Sequence, residues 1–504
     1  MNRRVVLVAG FFITTLVSVG QRDTAGFIDF VQKAQVELGA TGLAMSVTQH
    51  GKMVFEYGGG VINSEAATAP SVNTQFAIAS LSKAFTACAI GMLVDEGKLH
   101  WDDPVIKHLP AFSLSDSLIT KAITVEDILS HRSGLETFDG DLLWYGTTYS
   151  REEVVQRITA RPLSYGLGEK FGYQNIMFIT AGLMIEAVSG KTWDEFVKTR
   201  ILEPLEMNRT TSDFETFMTD LNHAAPHIDG KEIFMLSYNN SGATAALNST
   251  VKDLSKWIKF WLDDGVNRDG DTLISRESIE RIWTNHIDLA PSAFDKENGI
   301  ESKAYGMGWF LMDYHGKRVI HHGGGLPGYI SKIAMVPEQQ LGLVVLTNDM
   351  SSASSMLMYA VMDWVDGRDY THWLEKFRGF RQNQEKAKEE AERERLGTRV
   401  SNPRLLPIED YIGTYQDEMY GDARIVMGER DELVLTMLPS KELFTGDLEP
   451  WSDHAFRFDH NDPFLTWGLV KFEVKLDVVE GFTIDLPNDD FHFEKLNFKK
   501  VSGG

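Results

Sequence analysis

The order of its hydrophobic patterns limits this chain to few folds. Strand-like runs occur near residues 43–57, on either side of the hairpin signal His50-Gly51, and return between residues 305 and 348. The long segment between them carries helical patterns interrupted by glycine and proline. Strands at both ends of a helix-rich segment predict one α+β domain whose terminal strands share a sheet.

A change of composition divides the 504 residues, which are too many for one ordinary hydrophobic core. Residues 381–395 are highly charged and have almost no apolar face, which is typical of a solvated linker helix. The short alternating runs that follow predict a small antiparallel, barrel-like β domain. We therefore predict a first domain at 21–370, a charged helical linker at 371–404 and a small all-β domain at 405–504.

The N-terminus has the pattern of a targeting segment. Arg3 and Arg4 precede an apolar run from Val5 to Val19, which is shorter than the roughly 20 apolar residues of a membrane-spanning helix. Small residues at the end of the run suit a signal peptidase. The sequence thus predicts a removed signal peptide at 1–20, secretion (or a periplasmic location in a bacterium), and no membrane span in the mature chain.

The composition of the chain argues against some classes of partner and against an intrachain covalent cross-link. A formal net charge of −23 repels nucleic acid and argues against DNA or RNA binding. Cys88 is the one cysteine in the sequence, so the fold must be stable without an intrachain disulfide. If the host glycosylates secreted proteins, three sequons give candidate glycosylation sites at Asn208, Asn239 and Asn248.

Ser80 and Lys83 are three residues apart at the start of an apolar-periodic helix. Side chains at positions i and i+3 share one helix face, which brings the amine within reach of the hydroxyl. A serine becomes a nucleophile when a neighbouring group takes its proton, and a lysine kept neutral by burial is such a group. The pair predicts acyl-transfer chemistry, although the Ser-x-x-Lys spacing alone is a weak signal.

Two later segments supply further groups of the kind that acyl transfer needs. Tyr173 offers a hydroxyl that can move a proton, and Asn175 offers a donor for a substrate carbonyl. Farther along, His322, Gly323 and Gly324 end a predicted strand. The three segments together carry much more weight than any one of them.

In this order the segments resemble the motifs of the serine beta-lactamase and penicillin-binding family, especially its class C-like esterases and peptidases. That family carries S-x-x-K, then Y-x-N, then K-T-G or H-x-G. Residues 80–83 resemble the first motif, 173–175 the second and 322–324 the third. The stretches LSHRSGL, HWDDPVIKHLP and HGGGLPGY are also similar to the family, and the resemblance covers about residues 25–370.

The resemblance implies a fold and a mechanism. The fold is an antiparallel sheet flanked by helices, beside an all-α subdomain, with the active site between them and a small β domain appended. Ser80 would attack an acyl carbonyl, Lys83 and Tyr173 would move the proton, and the backbone amides of Ser80 and Gly325 would form the oxyanion hole. The residues implied in catalysis are Ser80, Lys83, Tyr173 and His322, and those implied in oxyanion or substrate binding are Asn175, Gly324 and Gly325.

The family resemblance also limits the partners and the substrate. It implies no metal or cofactor, a small-molecule or peptide substrate, and a C-terminal domain that covers one rim of the site or mediates association; the oligomeric state stays open. At the third motif, His322 replaces lysine and Gly323 replaces a hydroxyl residue, so recognition of an anionic lactam is weakened. This form looks like the family's esterases, D-aminopeptidases and related amidases, with weak beta-lactamase activity at most.

A second function of a different class remains open at this point. The acidic charge, the signal peptide and the accessory domain also suit an extracellular-matrix component, such as a shell-matrix protein, built on the same fold. The retention of Ser80, Lys83, Tyr173 and His322 favours an active hydrolase.

Overall fold

The computed structural model describes residues 23–65 and 67–501. The predicted signal peptide at 1–20 therefore lies outside the described residues. In the part that is described, no helix is both long and apolar enough to cross a bilayer.

The helices are α1 (Thr24–Glu37), α2 (Ser82–Asp95), α3 (Val105–His108), α4 (Ser117–Ala122), α5 (Val125–Leu129), α6 (Arg151–Arg157), α7 (Asn175–Ser189), α8 (Trp193–Val197), α9 (Phe214–Thr219), α10 (Val251–Leu262), α11 (Arg276–Ile282), α12 (Ala293–Glu297), α13 (Ala353–Asp366) and α14 (His372–Gly397). The strands of the first domain are β1 (Gly42–Gln49), β2 (Lys52–Gly60), β3 (Phe76–Ala77), β4 (His227–Ile228), β5 (Lys231–Glu232), β6 (Asn248–Ser249), β7 (Ile287–Leu289), β8 (Ile300–Tyr305), β9 (Phe310–Tyr314), β10 (Lys317–Leu326), β11 (Tyr329–Val336) and β12 (Leu341–Thr347). Those of the second are β13 (Gly413–Asp417), β14 (Gly421–Met427), β15 (Leu433–Met437), β16 (Thr445–Ser452), β17 (Ala455–His460), β18 (Gly468–Lys475), β19 (Val478–Asp485) and β20 (Phe498–Lys500).

The main sheet joins the two ends of the first domain, as the sequence predicts. Its strand order is β2-β1-β12-β11-β10-β9-β8-β7, and every neighbouring pair is antiparallel. Strand β12 is buried along its whole length because helices cover both faces of the sheet. Leu343 and Val345 pack with α1 and α13, whereas the alternate residues Val344 and Leu346 belong to the larger core on the opposite face.

Helix α2 runs through the centre of the first domain. Every residue from Ser82 to Leu93 is buried, so this helix has no solvent face and the chain can place a lysine here only within a polar pocket. Cys88 is buried in the same helix, and burial raises the pKa of its thiol. The α+β fold class with an appended β domain is confirmed.

The C-terminal domain is a closed barrel of strands β13 to β20. Within the alternating run VKFEVKLDVV the chain turns at Leu476 and Asp477, both at positive φ, and this turn separates β18 from β19. Closure pairs β13 with β20, which leaves the barrel no free edge.

Helix α14 connects the two domains and is fixed at both ends. Its first turns bury Trp373 and Phe377 against the first domain, whereas residues 381–395, for which the sequence predicts a solvated helix, are mostly exposed. At the other end the guanidinium of Arg395 stacks 3.9 Å from the ring centre of Trp467, whose Nε1 donates to Glu392 at 2.9 Å. The linker is therefore an anchored helix.

The barrel also packs directly against the helical part of the first domain. The Tyr145 hydroxyl donates to the Asp462 carboxylate at 2.8 Å in a buried contact. The Lys495 ammonium lies 2.8 Å from Asp139 and 2.5 Å from Glu136. Buried and charged contacts of this kind hold the barrel beside the helices that flank the cleft described below.

Candidate active site

Ser80 lies in a tight turn just before helix α2. Strand β3 pairs with β6, and a short 3-10 turn over Ala79–Leu81 leads into the helix. Ala79 has φ of +50°, a left-handed conformation that is unfavourable for alanine. This strain presents the Ser80 side chain at the helix N-terminus, facing the cleft.

Strand β10 closes on this turn through a glycine. A Cβ atom at Gly324 would lie 2.3 Å from the backbone oxygen of Ile78, which is far too close. Glycine at 324 is thus required for the strand to approach the nucleophile. The predicted binding residues Gly324 and Gly325 lie beside Ser80, and Gly325 lines the cleft.

The Lys83 amine is surrounded by oxygen atoms. Its Nζ lies 3.0 Å from Ser80 Oγ, 2.6 Å from the side-chain oxygen of Asn175 and 3.2 Å from the backbone oxygen of Thr244. Burial lowers the pKa of Lys83 well below its ordinary value, and the negative charge of Asp141 only partly opposes that effect. The amine is thereby poised to be neutral and to accept a proton.

Asn175 connects Lys83 to a buried acid that sequence reasoning missed. Its amide nitrogen donates to Asp141 at 2.6 Å, while its oxygen accepts from Lys83 and from the Thr244 hydroxyl at 2.8 Å. Burial raises the pKa of Asp141 to about 8. The Asn175 amide oxygen thus holds the amine in place, a different role from the substrate contact that the family resemblance implies.

Tyr173 lies directly above the amine. The Nζ of Lys83 is 4.9 Å from the centre of its ring. Burial raises the pKa of Tyr173, although hydrogen bonding with Ser80 acts in the opposite direction. The phenol therefore keeps its proton at neutral pH and can donate it.

A chain of hydrogen bonds fixes His322, and it contains two residues that the sequence did not reveal. The backbone amide of Gln174 donates to His131 Nδ1 at 2.9 Å, so the proton of His131 is on Nε2, 3.1 Å from the Tyr305 hydroxyl. Tyr305 then donates to His322 Nε2 at 3.1 Å, and His322 Nδ1 donates to the backbone oxygen of Gly323 at 2.5 Å. One consistent set of tautomers satisfies every ring nitrogen in the chain.

The two histidines of this hydrogen-bond network, His131 and His322, are neutral. Burial, followed by the charge of Lys83, lowers the pKa of His322 to about 3. The same two causes lower the pKa of His131 well below its ordinary value, with a further contribution from His322. His322 therefore brings no positive charge to the cleft, and both of its ring nitrogens are engaged, one with Tyr305 and one with Gly323.

These groups meet at a cleft of about 580 Å³ between the sheet and the helical region. Its walls are largely aromatic, with Phe138, Phe171 and Phe310 from the first domain. His321, which the sequence suggests is only a strand residue, also lines the cleft and stacks on Phe310 at 5.6 Å. In the described ranges, no group of three His, Cys, Asp or Glu residues is arranged to hold a metal ion.

The barrel supplies part of the cleft wall. Phe464, Asp490 and Phe491 line it together with Ser80, and the Phe491 ring packs 4.1 Å from that of Tyr145. Both domains therefore line the cleft.

The three candidate glycosylation sites differ in exposure. Asn208 and Asn239 are exposed. Asn248 is 4% exposed, and its amide nitrogen donates to backbone oxygens of Ala246 and Thr211. The expectation for Asn248 is wrong, because a glycan has no room at this position in the folded chain.

One of the missed residues, His131, carries a local signal, because it lies within the LSHRSGL stretch. Asp141, Thr244 and Tyr305 lie outside every stretch that resembles the family, so nothing in a single sequence identifies them.

Comparison with known proteins gives the family of each domain. Residues 27–361 match the family model described as Beta-lactamase. Residues 398–500 match a domain of unknown function (DUF3471).

Similar proteins come from fungi, bacteria and archaea. The chain is 29% identical over 391 residues to the unguisins hydrolase ungD′ of Aspergillus campestris (strain IBT 28561), covering 72% of this chain and 70% of that protein. It is 26% identical to Protein flp of Staphylococcus aureus (strain COL), covering 61% of this chain and 59% of the relative.

Solved structures show the same fold. The octameric penicillin-binding protein homologue from Pyrococcus abyssi aligns with a TM-score of 0.62 at 24% identity, covering 95% of this chain and all of that chain. A penicillin binding protein from Bacillus halodurans aligns with a TM-score of 0.56 at 23% identity, covering 66% and 99%. With a family model that spans about two thirds of its residues, the chain belongs to the beta-lactamase family of hydrolases.

Proposed function

We propose that this chain is a secreted serine hydrolase that cleaves ester or amide bonds through an acyl-enzyme on Ser80. The observation that carries the proposal is the coordination of the Lys83 amine. A neutral amine has two N–H donors and one lone pair. Asn175 and Thr244 accept the two donors, so the lone pair faces the Ser80 hydroxyl at 3.0 Å.

The proposed reaction follows from this arrangement. As Ser80 Oγ bonds to the acyl carbon, its proton passes to Lys83, and the carbonyl oxygen gains the negative charge. The partial positive charge at the start of α2 stabilises that oxyanion. Tyr173 keeps its proton and can hand it to the leaving group, taking one from Lys83 in return. Water then cleaves the acyl-enzyme by the reverse set of proton transfers.

The cleft supports a small-molecule or short peptide substrate. Its volume of about 580 Å³ lies in the range of about 300–1,000 Å³ usual for such ligands. His322 is neutral, so it does not replace the cation that holds a lactam carboxylate, and esters or amides are the preferred class. The fungal relative is named a hydrolase of unguisins, which supports hydrolysis as the reaction type.

The alternative, an acidic extracellular-matrix component, depends on the net charge of −23 and the domain layout. Secretion, inferred from residues 1–20, is common to both functions and does not separate them. The complete proton-transfer set around Lys83 has no use in a purely structural protein and favours catalysis.

A fluorophosphonate probe tests the nucleophile. Wild type should be labelled, and Ser80→Ala should not. Ser82→Ala is a matched control, because Ser82 is buried in the same motif and its Oγ accepts from the backbone amide of Leu247 at 3.1 Å. Labelling that survives in Ser80→Ala contradicts the assignment, and so does turnover of short-chain p-nitrophenyl esters by Ser80→Ala at the wild-type rate.

A further inference from the structure

One lysine that lines the cleft has no partner. Lys332 lies on β11 directly opposite Gly323 of β10. Its ammonium forms no hydrogen bond or ion pair with any group of residues 23–65 and 67–501. Lys332 is half-buried, and its ammonium is open to the cleft, where it can pair with an anion that enters.

The glycine at position 323 allows Lys332 to reach the cleft. A Cβ atom at Gly323 would lie 3.2 Å from the Lys332 Nζ and 3.6 Å from its Cε, so the lysine lies across the strand where a side chain would stand. This is the position where lactam-recognising relatives carry the hydroxyl residue of K-T-G. Compared with K-T-G, this sequence lacks the lysine at 322 and the hydroxyl residue at 323. The space left by the missing side chain at 323 is where the ammonium of Lys332 lies, from the neighbouring strand.

The surroundings of Lys332 are cationic. Lys303 lines the same end of the cleft, but its ammonium is paired with Asp295 at 2.9 Å. His321 also lines the cleft and is neutral, since burial and the charge of Lys332 lower its pKa. Burial, followed by the charge of Lys303, lowers the pKa of Lys332 to about 8, so most molecules carry its positive charge at neutral pH.

We propose that Lys332 binds a carboxylate of the substrate, so that the site prefers esters or amides whose acyl or leaving part carries a carboxylate. This inference rests on the proposed function and names its substrate class. It replaces the expectation from His322 alone that the site has no cation for an anionic group.

Two pairs of esters test the preference. The acyl side is probed with p-nitrophenyl hydrogen adipate against its methyl ester, and the leaving-group side with 4-carboxyphenyl butyrate against its methyl ester. Wild type should favour the carboxylate in at least one pair by about tenfold in kcat/KM, the usual advantage of a charge-assisted hydrogen bond over a neutral one. The difference should be mostly in KM, because the contact is remote from the reacting atoms.

Two variants assign the preference to this lysine. Lys332→Met should abolish the ratio between the paired esters. Gly323→Ala, which places a methyl group 3.2 Å from the ammonium, should reduce it. Lys471→Met is the control, since it removes the same charge from an exposed site on the barrel, and its ratio should equal that of wild type.

A binding measurement separates this inference from the proposed function. Monomethyl adipate should bind Ser80→Ala protein more tightly than dimethyl adipate by calorimetry, and Lys332→Met should remove the difference. Hydrolysis of both members of each pair with equal kcat/KM overturns the carboxylate preference and leaves the serine hydrolase intact. A preference that persists in Lys332→Met also overturns it. If no ester is hydrolysed, the proposed function fails, and the calorimetric comparison still decides whether Lys332 binds carboxylate.

Discussion

Replacing Tyr305 by phenylalanine should remove the hydroxyl that links His322 to His131 by hydrogen bonds. The hydroxyl is the one group between His131 Nε2 and His322 Nε2, at 3.1 Å from each. The substitution keeps the ring and its edge-to-face contact with Phe310 at 4.7 Å. It therefore removes two hydrogen bonds and very little packing.

The magnitude follows from burial. His131 is fully buried and His322 is 1% exposed, so neither nitrogen can turn to water after the change. A buried polar group left without a partner costs about 1–3 kcal/mol, which gives a loss of about 2–6 kcal/mol in the free energy of unfolding for the two groups. A displacement of His322 of about 1 Å would reduce kcat/KM by about 100-fold.

The assay combines denaturant unfolding with ester hydrolysis, and Tyr314→Phe is the control. Tyr314 is 1% exposed on the neighbouring strand β9 and donates to Asp363 at 2.8 Å, away from the cleft. Its substitution should lower stability and leave kcat/KM within about twofold of wild type. Equal losses of kcat/KM in the two variants, or a stability change below about 0.5 kcal/mol in Tyr305→Phe, would refute the reasoning.

The pH profile adds a readout that general destabilisation does not move. Burial, followed by the charge of Lys83, lowers the pKa of His322 to about 3. Donation from the Tyr305 hydroxyl requires an unprotonated Nε2, so this bond favours the same neutral form. Removing the donor raises that pKa, and His322 is then protonated at a higher pH. The acid limb of kcat/KM should shift to higher pH in Tyr305→Phe and stay unchanged in Tyr314→Phe.

Two further predictions concern the attachment of the barrel. Lys495→Ala should separate the calorimetric unfolding transitions of the two domains. The loss of stabilising free energy between the domains should be less than the roughly 3–5 kcal/mol of a broken buried pair, because Arg161 still faces Asp139 at 3.0 Å. Burial alone would raise the pKa of Asp139, but nearby His492, the hydrogen bond from Lys495 and the charge of Arg161 lower it. This contact is therefore present above the ordinary pKa and should be lost as pH falls below about 4. Limited proteolysis should cut first within residues 381–395, the exposed part of α14, and early cuts at 80–350 instead would contradict the domain division.

The extent to which the sequence predicts this fold depends on the range over which each pattern acts. Strand alternation and helical periodicity are local, and they predict the α+β domain and the charged helix well. In the barrel, the turn at Leu476 and Asp477 interrupts an apolar run without glycine or proline, so the pattern gives no sign of it. Closure between β13 and β20 depends on pairing across the whole domain, which no local pattern records.

The residues of the site also differ in whether a local sequence pattern predicts their position. Ser80 and Lys83 meet because helical spacing places them on one face, a relation that holds in any helix. Asp141 and Tyr305 reach the site from a loop and from a strand whose positions depend on the packed core. Lys332 is opposite Gly323 through strand register, and a shift of one residue would move it to the other face of the sheet.

The division of the cleft between two domains has a consequence for how the protein can change. The residues to which we assign bond cleavage lie between 80 and 322, whereas Phe464, Asp490 and Phe491 of the wall belong to the barrel. Insertions or exchanges in the barrel loops can therefore reshape the entrance without disturbing the nucleophile, its amine or the strained turn at Ala79. Mutations in the barrel can therefore change which substrates enter the cleft. Chimaeras that exchange whole barrels are a direct route to altered selectivity in the laboratory.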